Sequence, residues 1–364
     1  MLLPTLTLLT CFLLIVTLLP ISNHTHWLIR GLDFPRLQIA IAAILLLIFQ
    51  LIVLEITRPS SLLLICVSGF CLFWQSWWIV PYTPLFPREV KRAEKNSQKP
   101  SLKILTANVL TPNRNSQALI SLVKQHKPDV LVTLESDQWW QNQLSVLEDD
   151  MPYTIKCPLD NLYGMHVYSR LPLTETETCY LVEDGVPSMH ASVRLSDRVR
   201  VRVHFLHPSP PSPTENPESQ ERDAELIVVA KSIADSAQPI VVTGDLNDVA
   251  WSETTRLFRK ISGLLDPRIG RGMFNTFHAD YPFIRWPLDH LFHSEHFTVK
   301  SIKRMPSIGS DHFPLLTTLV FSPKAIPENE GIDASAEDRS RADEIVEKEN
   351  VSKSEIPQPT AHAK

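Results

Sequence analysis

The chain has 364 residues, 21% of them charged, and a formal net charge of -5 at pH 7. That length allows one large domain with attachments or two ordinary domains. The mild acidic balance excludes a global basic field that would draw the protein to nucleic acid, and the five cysteines show no spacing for a zinc site or a disulfide framework.

In chain order, residues 2–20, 37–54 and 61–80 form three uncharged apolar runs. Each approaches the roughly 20 residues that cross a bilayer core of about 30 Å. Trp77 and Trp78 stand where an interfacial aromatic belt would lie. The first run alone could be a cleaved signal peptide, but it lacks a basic leading segment and two more runs follow. The pattern predicts three transmembrane helices within 1–80, with a tight hairpin at Arg58-Pro59 between the second and third. A basic juxtamembrane linker, 81–100, carries Arg88, Lys91, Arg92, Lys95 and Lys99, and Arg30 and Arg36 of the first loop fall on the same side. Positive charge stays inside, so this bias places the C-terminal bulk of a multi-pass cell-membrane protein in the cytoplasm, although large domains translocate despite such charge.

Residues 101–321 have the periodicity of an α/β (α+β) domain. LKILTANVL reads as a buried strand, NSQALISLVKQH as an amphipathic helix and PDVLVTLES as a second strand. RVRVRVHFLHP alternates, with Val199, Val201, Val203 and Phe205 on one face and Arg198, Arg200, Arg202 and His204 on the other, as expected of a half-exposed strand. A proline-rich loop, the helix QERDAELIVVAKSIADS and the strand PIVVTGDLND follow, and FPLLTTLVF closes the domain. Residues 322–364 are rich in charge, Ser, Pro and Ala, with few large apolar groups, and read as a disordered charged tail.

Polar residues gather at the ends of these strands: Asn108, Glu135, His207, Asp245 with Asn247, Asp289 with His290, and Asp311 with His312. Taken singly, each has a bland explanation. Asn108 could form a turn, Glu135 could cap a helix, and His207 could simply end a strand at the surface. As a set they are harder to dismiss. Carboxylate and amide oxygens suit Mg²⁺ or Mn²⁺, which keeps waters and binds one or two carboxylates plus substrate phosphate. A histidine held by a second carboxylate can move a proton or contact phosphate near neutral pH. Together these groups point to metal-assisted hydrolysis of a phosphoester. Gly244 would let the chain bend sharply or approach a ligand closely.

The ordered motifs TANV, LVTLE, HP, GDLND, PLDH and SDH resemble the signature of the endonuclease/exonuclease/phosphatase superfamily, the DNase I-like group, over roughly 102–321. GDLN paired with a late SDH is the specific part. The resemblance implies a four-layered αββα sandwich, two mixed sheets with helices outside and the site at one end. It implies Glu135 as principal Mg²⁺ or Mn²⁺ ligand, Asn108 beside it and Asp311 as an auxiliary ligand. It further implies Asp245 as the residue that orients or deprotonates water and Asn247 as a holder of a phosphate oxygen. His312 would contact the scissile phosphate with Asp289 or Asp311 as partner, and His207 would assist the leaving group. Some members carry an acidic residue where this chain has Leu110, and Tyr168, a mid-domain aromatic, has no assigned role. Asp248 and His290 adjoin the implied residues and read equally well as structural.

Three substrate readings remain open. The protein could be a membrane-anchored phosphomonoesterase or phosphodiesterase acting on a lipid-linked or other small phosphorylated compound. It could be a tethered DNase I-like nuclease, or a non-catalytic membrane protein that keeps the fold. Acidic groups outnumber basic ones across 101–321 and no basic run with interleaved aromatics appears, which disfavours nucleic acid.

Overall fold

In the computed structural model, residues 2–357 are described except 23, 96, 235 and 323–330. Three helices are long and apolar enough to cross a membrane: α1 (Leu2–Leu18), α3 (Arg36–Val53) and α4 (Pro59–Ile79). A four-residue helix, α2 (Trp27–Arg30), lies in the loop between α1 and α3. The hairpin between α3 and α4 falls at residues 54–58. The bundle buries its few polar side chains against one another, as apolar surroundings require. Gln50 donates to Thr10 at 2.8 Å, Gln75 to Thr17 at 3.2 Å, and Arg36 to Gln75 at 3.2 Å.

Two sheets form the soluble part. The first has six strands in the order β10-β11-β1-β2-β4-β3. These are β1 (Ser101–Asn108), β2 (Val130–Leu134), β3 (Tyr153–Cys157), β4 (Met165–Ser169), β10 (Phe297–Arg304) and β11 (Leu315–Phe321). The second runs β5-β6-β7-β8-β9. Its members are β5 (Leu173–Cys179), β6 (Ser188–Ser196), β7 (Val199–Leu206), β8 (Ile240–Asp245) and β9 (Asp289–His293). Their facing sides share one core, in which Ile104, Val132 and Val167 of the first sheet meet Ala191, Val203 and Val241 of the second. On the outer face of the first sheet lie α5 (Ser116–His126) and α6 (Gln138–Leu144), packed through Leu119, Val123 and Trp140. Asp137 caps α6 by accepting from the Trp140 amide at 2.8 Å. On the outer face of the second sheet lie α7 (Gln220–Ile233) and α8 (Glu253–Ser262). The result is the four-layered αββα sandwich that the resemblance implies.

Three expectations need correction. The expected disordered tail contains α9 (Ala336–Lys348), closed by a Ser335–Asp338 capping box. This polar helix has a narrow apolar stripe, Ala342 and Val346, which is buried against the α7–α8 layer, while Lys260 pairs with Asp338 at 2.8 Å. Tertiary contact, rather than propensity, holds so short a helix. Residues 323–330 and 358–364 of the tail lie outside the described residues. The second correction follows from the first. β7 is not half-exposed, because Arg202 and His204 on its polar face are buried, and Arg202 donates to the Pro357 carbonyl at 2.7 Å. The third concerns the linker 81–100. Val90 is fully buried in the core between the sheets, and Val299 of β10 exchanges backbone bonds with Lys91 and Ala93.

The bundle docks onto the sandwich at one end. Ile79, Tyr82 and Ala40 pack with Val249, Trp251 and Leu288. The Tyr82 hydroxyl donates to the Ala250 carbonyl at 2.7 Å, and the Trp251 indole donates to the Asp33 carbonyl at 2.8 Å. Cys157 and Cys179 are both free thiols.

Candidate active site

Strand register brings the polar ends together. β1 and β2 run parallel with Asn108 opposite Leu134, so Asn108 and Glu135 emerge side by side at one end of the first sheet. β8 and β9 run antiparallel with Asp245 opposite Asp289 at the matching end of the second. Beneath them Thr106 and Thr243 share a hydrogen bond of 2.8 Å across the sheets. Asn108 then spans the gap, donating to Glu135 Oε1 at 2.7 Å and to Asp245 Oδ2 at 3.2 Å. His312, in the loop before β11, completes the group. Its Nδ1 meets Asp289 Oδ2 at 2.8 Å and its Nε2 meets Asp245 Oδ2 at 3.3 Å.

Gly244 has a conformational reason, and it differs from the one expected. Its φ is +156°, and a Cβ there would collide with the Leu206 carbonyl of β7. The close approach is to a neighbouring strand rather than to a ligand. Glu135 and Asn247 have left-handed backbones, with φ of +56° and +50°. That conformation is ordinary for Asn but costs a glutamate about 1–2 kcal/mol. Strain of this kind collects where side chains must be aimed.

The electrostatics follow from burial. Burial pushes the Glu135 carboxyl up to about 7, against the Asn108 hydrogen bond and the His312 charge. Its Oε2 is buried without a partner among the described residues. Burial opposes charge on His312, but the carboxylates of Asp245 and Asp289 outweigh it and raise the imidazole to about 10. Asp245 is held below its usual range, since the His312 and His207 rings overcome its burial. Burial raises Asp289. At neutral pH His312 is therefore an imidazolium clasped between two carboxylates. His207 is the opposite case: burial lowers it to about 4, so it is neutral, and its Nδ1 has no partner among the described residues.

Asp245, Asp289 and His312 offer atoms within 4.8 Å of one another, a spacing that could hold a cation. Protonated His312 has no lone pair to give, however, and both of its nitrogens face carboxylates. The unpartnered Oε2 of Glu135, with Asp311 in the same cavity lining, makes the better oxygen-donor set; Asn108 turns its nitrogen to Glu135 and its Oδ1 to the Leu110 amide. The residues thus fit Mg²⁺ or Mn²⁺ at Glu135 rather than at the clasped histidine.

A cavity of about 490 Å³ opens over this group, and Glu135, Asp245, Asn247, Asp311 and His312 all line it. The Asn247 amide donates to the Pro208 carbonyl at 2.9 Å. His207 does not line the cavity; its ring lies 5.4 Å from that of Tyr163. Asp289, rather than Asp311, is the hydrogen-bonding partner of His312. Tyr168 is buried among the core residues beneath α5 and α6 and is absent from the cavity lining. Asp248 and His290 belong to a different cluster. Ser252 and the Val249 amide donate to Asp248 at 2.6 and 2.9 Å, and Arg268 meets His290 Nδ1 at 2.7 Å. The opposite wall of the cavity has no counterpart in the motifs. Trp27, Gly31 and Phe34 come from the loop between α1 and α3, and Phe277 and Trp286 from the segment before β9. An aromatic pair in the first interhelical loop was the available signal, and nothing in its spacing marked it.

Solved structures share the fold. An endonuclease/exonuclease/phosphatase from Beutenbergia cavernae DSM 12333 aligns at 18% identity with a TM-score of 0.50, covering 62% of this chain and 72% of that one. The human Nocturnin catalytic domain with bound sulfate anion aligns at 15% identity and a TM-score of 0.51, covering 62% of this chain and 96% of that one. D. rerio TDP2 complexed with single strand DNA product aligns at 17% identity and a TM-score of 0.50, covering 60% of this chain and 98% of that one. No curated protein matches the sequence. The family model for the endonuclease/exonuclease/phosphatase family matches residues 105–312, more than half of the sequence, and the chain belongs to that family.

Proposed function

We propose that the protein is a membrane-anchored phosphoester hydrolase, dependent on Mg²⁺ or Mn²⁺, whose preferred substrate is a lipid-linked phosphate. The observation that carries the chemistry is one cavity lined by an unpartnered glutamate oxygen and by a histidine clasped between two carboxylates. Glu135, with Asn108 and Asp311, would hold the cation, which when bound supplies charge for the phosphate oxygens and a polarised water. Asp245, ionised and buried, is the group to orient water and take its proton. The His312 imidazolium, fixed by Asp289, stabilises charge that develops on the phosphate. Asn247 holds a phosphate oxygen. His207, neutral and unpartnered at Nδ1 but set behind the cavity lining, would assist the leaving group from there.

Three apolar helices support the membrane anchor, and the charge bias supports a cytoplasmic site. The lipid-linked substrate is supported by the cavity lining, which includes no Lys or Arg to track a polynucleotide backbone. The test uses full-length protein in nanodiscs with Mg²⁺ or Mn²⁺. Chelator-sensitive phosphate release from a polyprenyl diphosphate or a phospholipid is expected. Salt-sensitive nicking of plasmid DNA at a higher rate would replace this reading with the tethered nuclease. Inactivity on every phosphoester would favour a non-catalytic membrane protein. A reporter fused after residue 321 tests the sidedness.

A further inference from the structure

We infer that Trp27 and Phe34, contributed by the membrane module, form the wall of the catalytic cavity that receives the apolar chain of the substrate, and that they set a preference for chain-bearing phosphoesters. This rests on the hydrolase reading for the phosphate end of the substrate, and it adds where the rest of that molecule goes.

The loop between α1 and α3 is built into the sandwich. The Trp27 amide donates to the Pro217 carbonyl at 2.9 Å, and the Ser219 amide donates to the Thr25 carbonyl at 2.9 Å, which makes a short antiparallel bridge ahead of α7. Arg30, buried, pairs with Glu253 of α8 at 3.3 Å. Phe34 packs edge-on against Trp286, with ring centroids 5.5 Å apart. These ties hold Trp27 and Phe34 in the lining of the same cavity as Glu135, Asp245 and His312. The sandwich alone would leave that side of the cavity open.

The chemistry of this wall excludes most phosphoesters. Facing the acidic group are Trp27, Phe34, Trp286, Leu288 and two prolines, 210 and 211, and the one further charge in the lining is Glu215. A polyanion would meet a carboxylate and no cation there. A single phosphate carrying a hydrocarbon chain would meet the cation-binding end with its head and aromatic carbon with its tail. Burial of each methylene favours the second ligand.

The rim shows where the chain continues. The segment carrying Phe277 and Trp286 has its tip near α3, because Gln38 in the first turn of α3 donates to the Phe283 carbonyl at 2.9 Å. At this tip Tyr281 is 57% exposed and Phe283 86%. The segment that lines the cavity through Phe277 and Trp286 thus touches the first turn of a helix long and apolar enough to cross a membrane, which would let a chain remain in the bilayer while its phosphate reaches Asp245.

The test compares two substrates with the same head: a long-chain alkyl phosphate in nanodiscs and its four-carbon, water-soluble analogue. In full-length Trp27→Ala and Phe34→Ala, kcat/KM for the long chain should fall by about 10- to 100-fold, the range that pocket contacts of this size command. The short-chain value should stay within about twofold. Trp27→Phe and Phe34→Leu, which keep an apolar wall, should retain most of the preference. Equal losses on both substrates would mean that the wall is merely structural and would overturn the inference, as would no loss on either. A parallel measurement of binding of a long-chain alkyl phosphonate does not depend on turnover. If wild type hydrolyses neither substrate, the hydrolase reading fails. The wall inference then stands or falls on whether the alanine variants weaken that binding while leaving the short-chain phosphonate unaffected.

Discussion

Two buried ionic clusters interleave in sequence, with Asp245 three residues from Asp248 and Asp289 next to His290. One contains Glu135, Asp245, Asp289 and His312; the other contains Arg222, Asp223, Asp248, Asp266, Arg268 and His290. The second is closed. Arg268 binds Asp266 through Nε and Nη2 at 2.9 and 2.8 Å and meets His290, whose Nε2 reaches the Asp248 carbonyl at 2.9 Å. Arg222 pairs with Asp223 at 2.8 Å and Asp248 at 3.4 Å and donates to the Asn247 carbonyl at 2.8 Å. The first cluster is open: Glu135 Oε2 and Asp289 Oδ1 lack partners among the described residues, and the group borders a cavity. Buried charge is tolerated when it is fully paired, so the incomplete cluster beside a cavity is the one with donors left for a ligand. Arg222 links the two, since it holds the backbone of Asn247 between Asp245 and Asp248.

The sharpest break between the clusters should come from replacing one acid in each. Asp245→Asn keeps the shape and most hydrogen bonds of the site but removes its base. Turnover should drop by about 10²–10⁴-fold, with the thermal midpoint little changed. A variant that kept near-wild-type rates would remove Asp245 from the chemistry. The closed cluster should respond in the reverse way. Asp266→Ala leaves Arg268 buried without its carboxylate, which costs about 3–5 kcal/mol of stability. Urea unfolding should show that loss while the folded fraction retains its kcat. A smaller effect separates the clusters by ligand. Cation at about 100 times its dissociation constant should stabilise the wild type by about 2.7 kcal/mol, read as a rise in thermal midpoint. Glu135→Gln should abolish that rise without catalysis being measured. A rise that survives in Glu135→Gln but disappears in Asp289→Asn would move the cation to the clasped histidine.

Much of the open cluster was legible because strand ends concentrate function, and register converts spacing into proximity. Asn108, Glu135, Asp245 and His312 fall together for that reason. The choice between Asp289 and Asp311 as partner of His312 was not legible, because it depends on how a loop enters β11. His207 was placed by its position at the end of β7, but its neutrality and its contact with Tyr163 come from packing across the sheet. Trp27 and Phe34 were invisible in a deeper sense. They precede the sandwich by two long apolar helices, and no local pattern reports a contact that only docking of the bundle creates. The same holds for α9, whose apolar face of Ala342 and Val346 is too narrow to register without α7 and α8 beneath it. The face of β7 that alternation alone marks as wet is covered by α7 and, at Arg202, by the Pro357 carbonyl.

The covered face yields the smallest effect and a third kind of cluster, a pair of buried neutral rings in which His204 Nε2 lacks a partner among the described residues. His190 and His204 are buried with Nδ1 atoms 2.8 Å apart, and Ser188 meets His190 Nε2 at 3.0 Å. Burial, with the Arg202 charge nearby, lowers His190 to about 3; burial and the neighbouring His190 and Arg202 hold His204 well below its usual range. Both are neutral in the folded protein, whereas the unfolded chain takes up a proton at each near pH 6.5. Their contribution to stability is therefore fully present above that pH and is lost as the pH falls toward about 3. The slope approaches about 1.4 kcal/mol per pH unit for each histidine. Glu225, raised to about 8 by burial and Glu183, acts in the opposite direction, destabilising the fold as pH rises from about 4.5. The difference between wild type and His190→Leu/His204→Leu cancels Glu225 and isolates the pair. Urea unfolding from pH 7.5 to 4.5 should show the wild type losing stability more steeply than the variant below pH 6.5. Parallel curves would mean that both rings take up protons in the folded protein as readily as in the unfolded chain, and that burial does not hold them neutral.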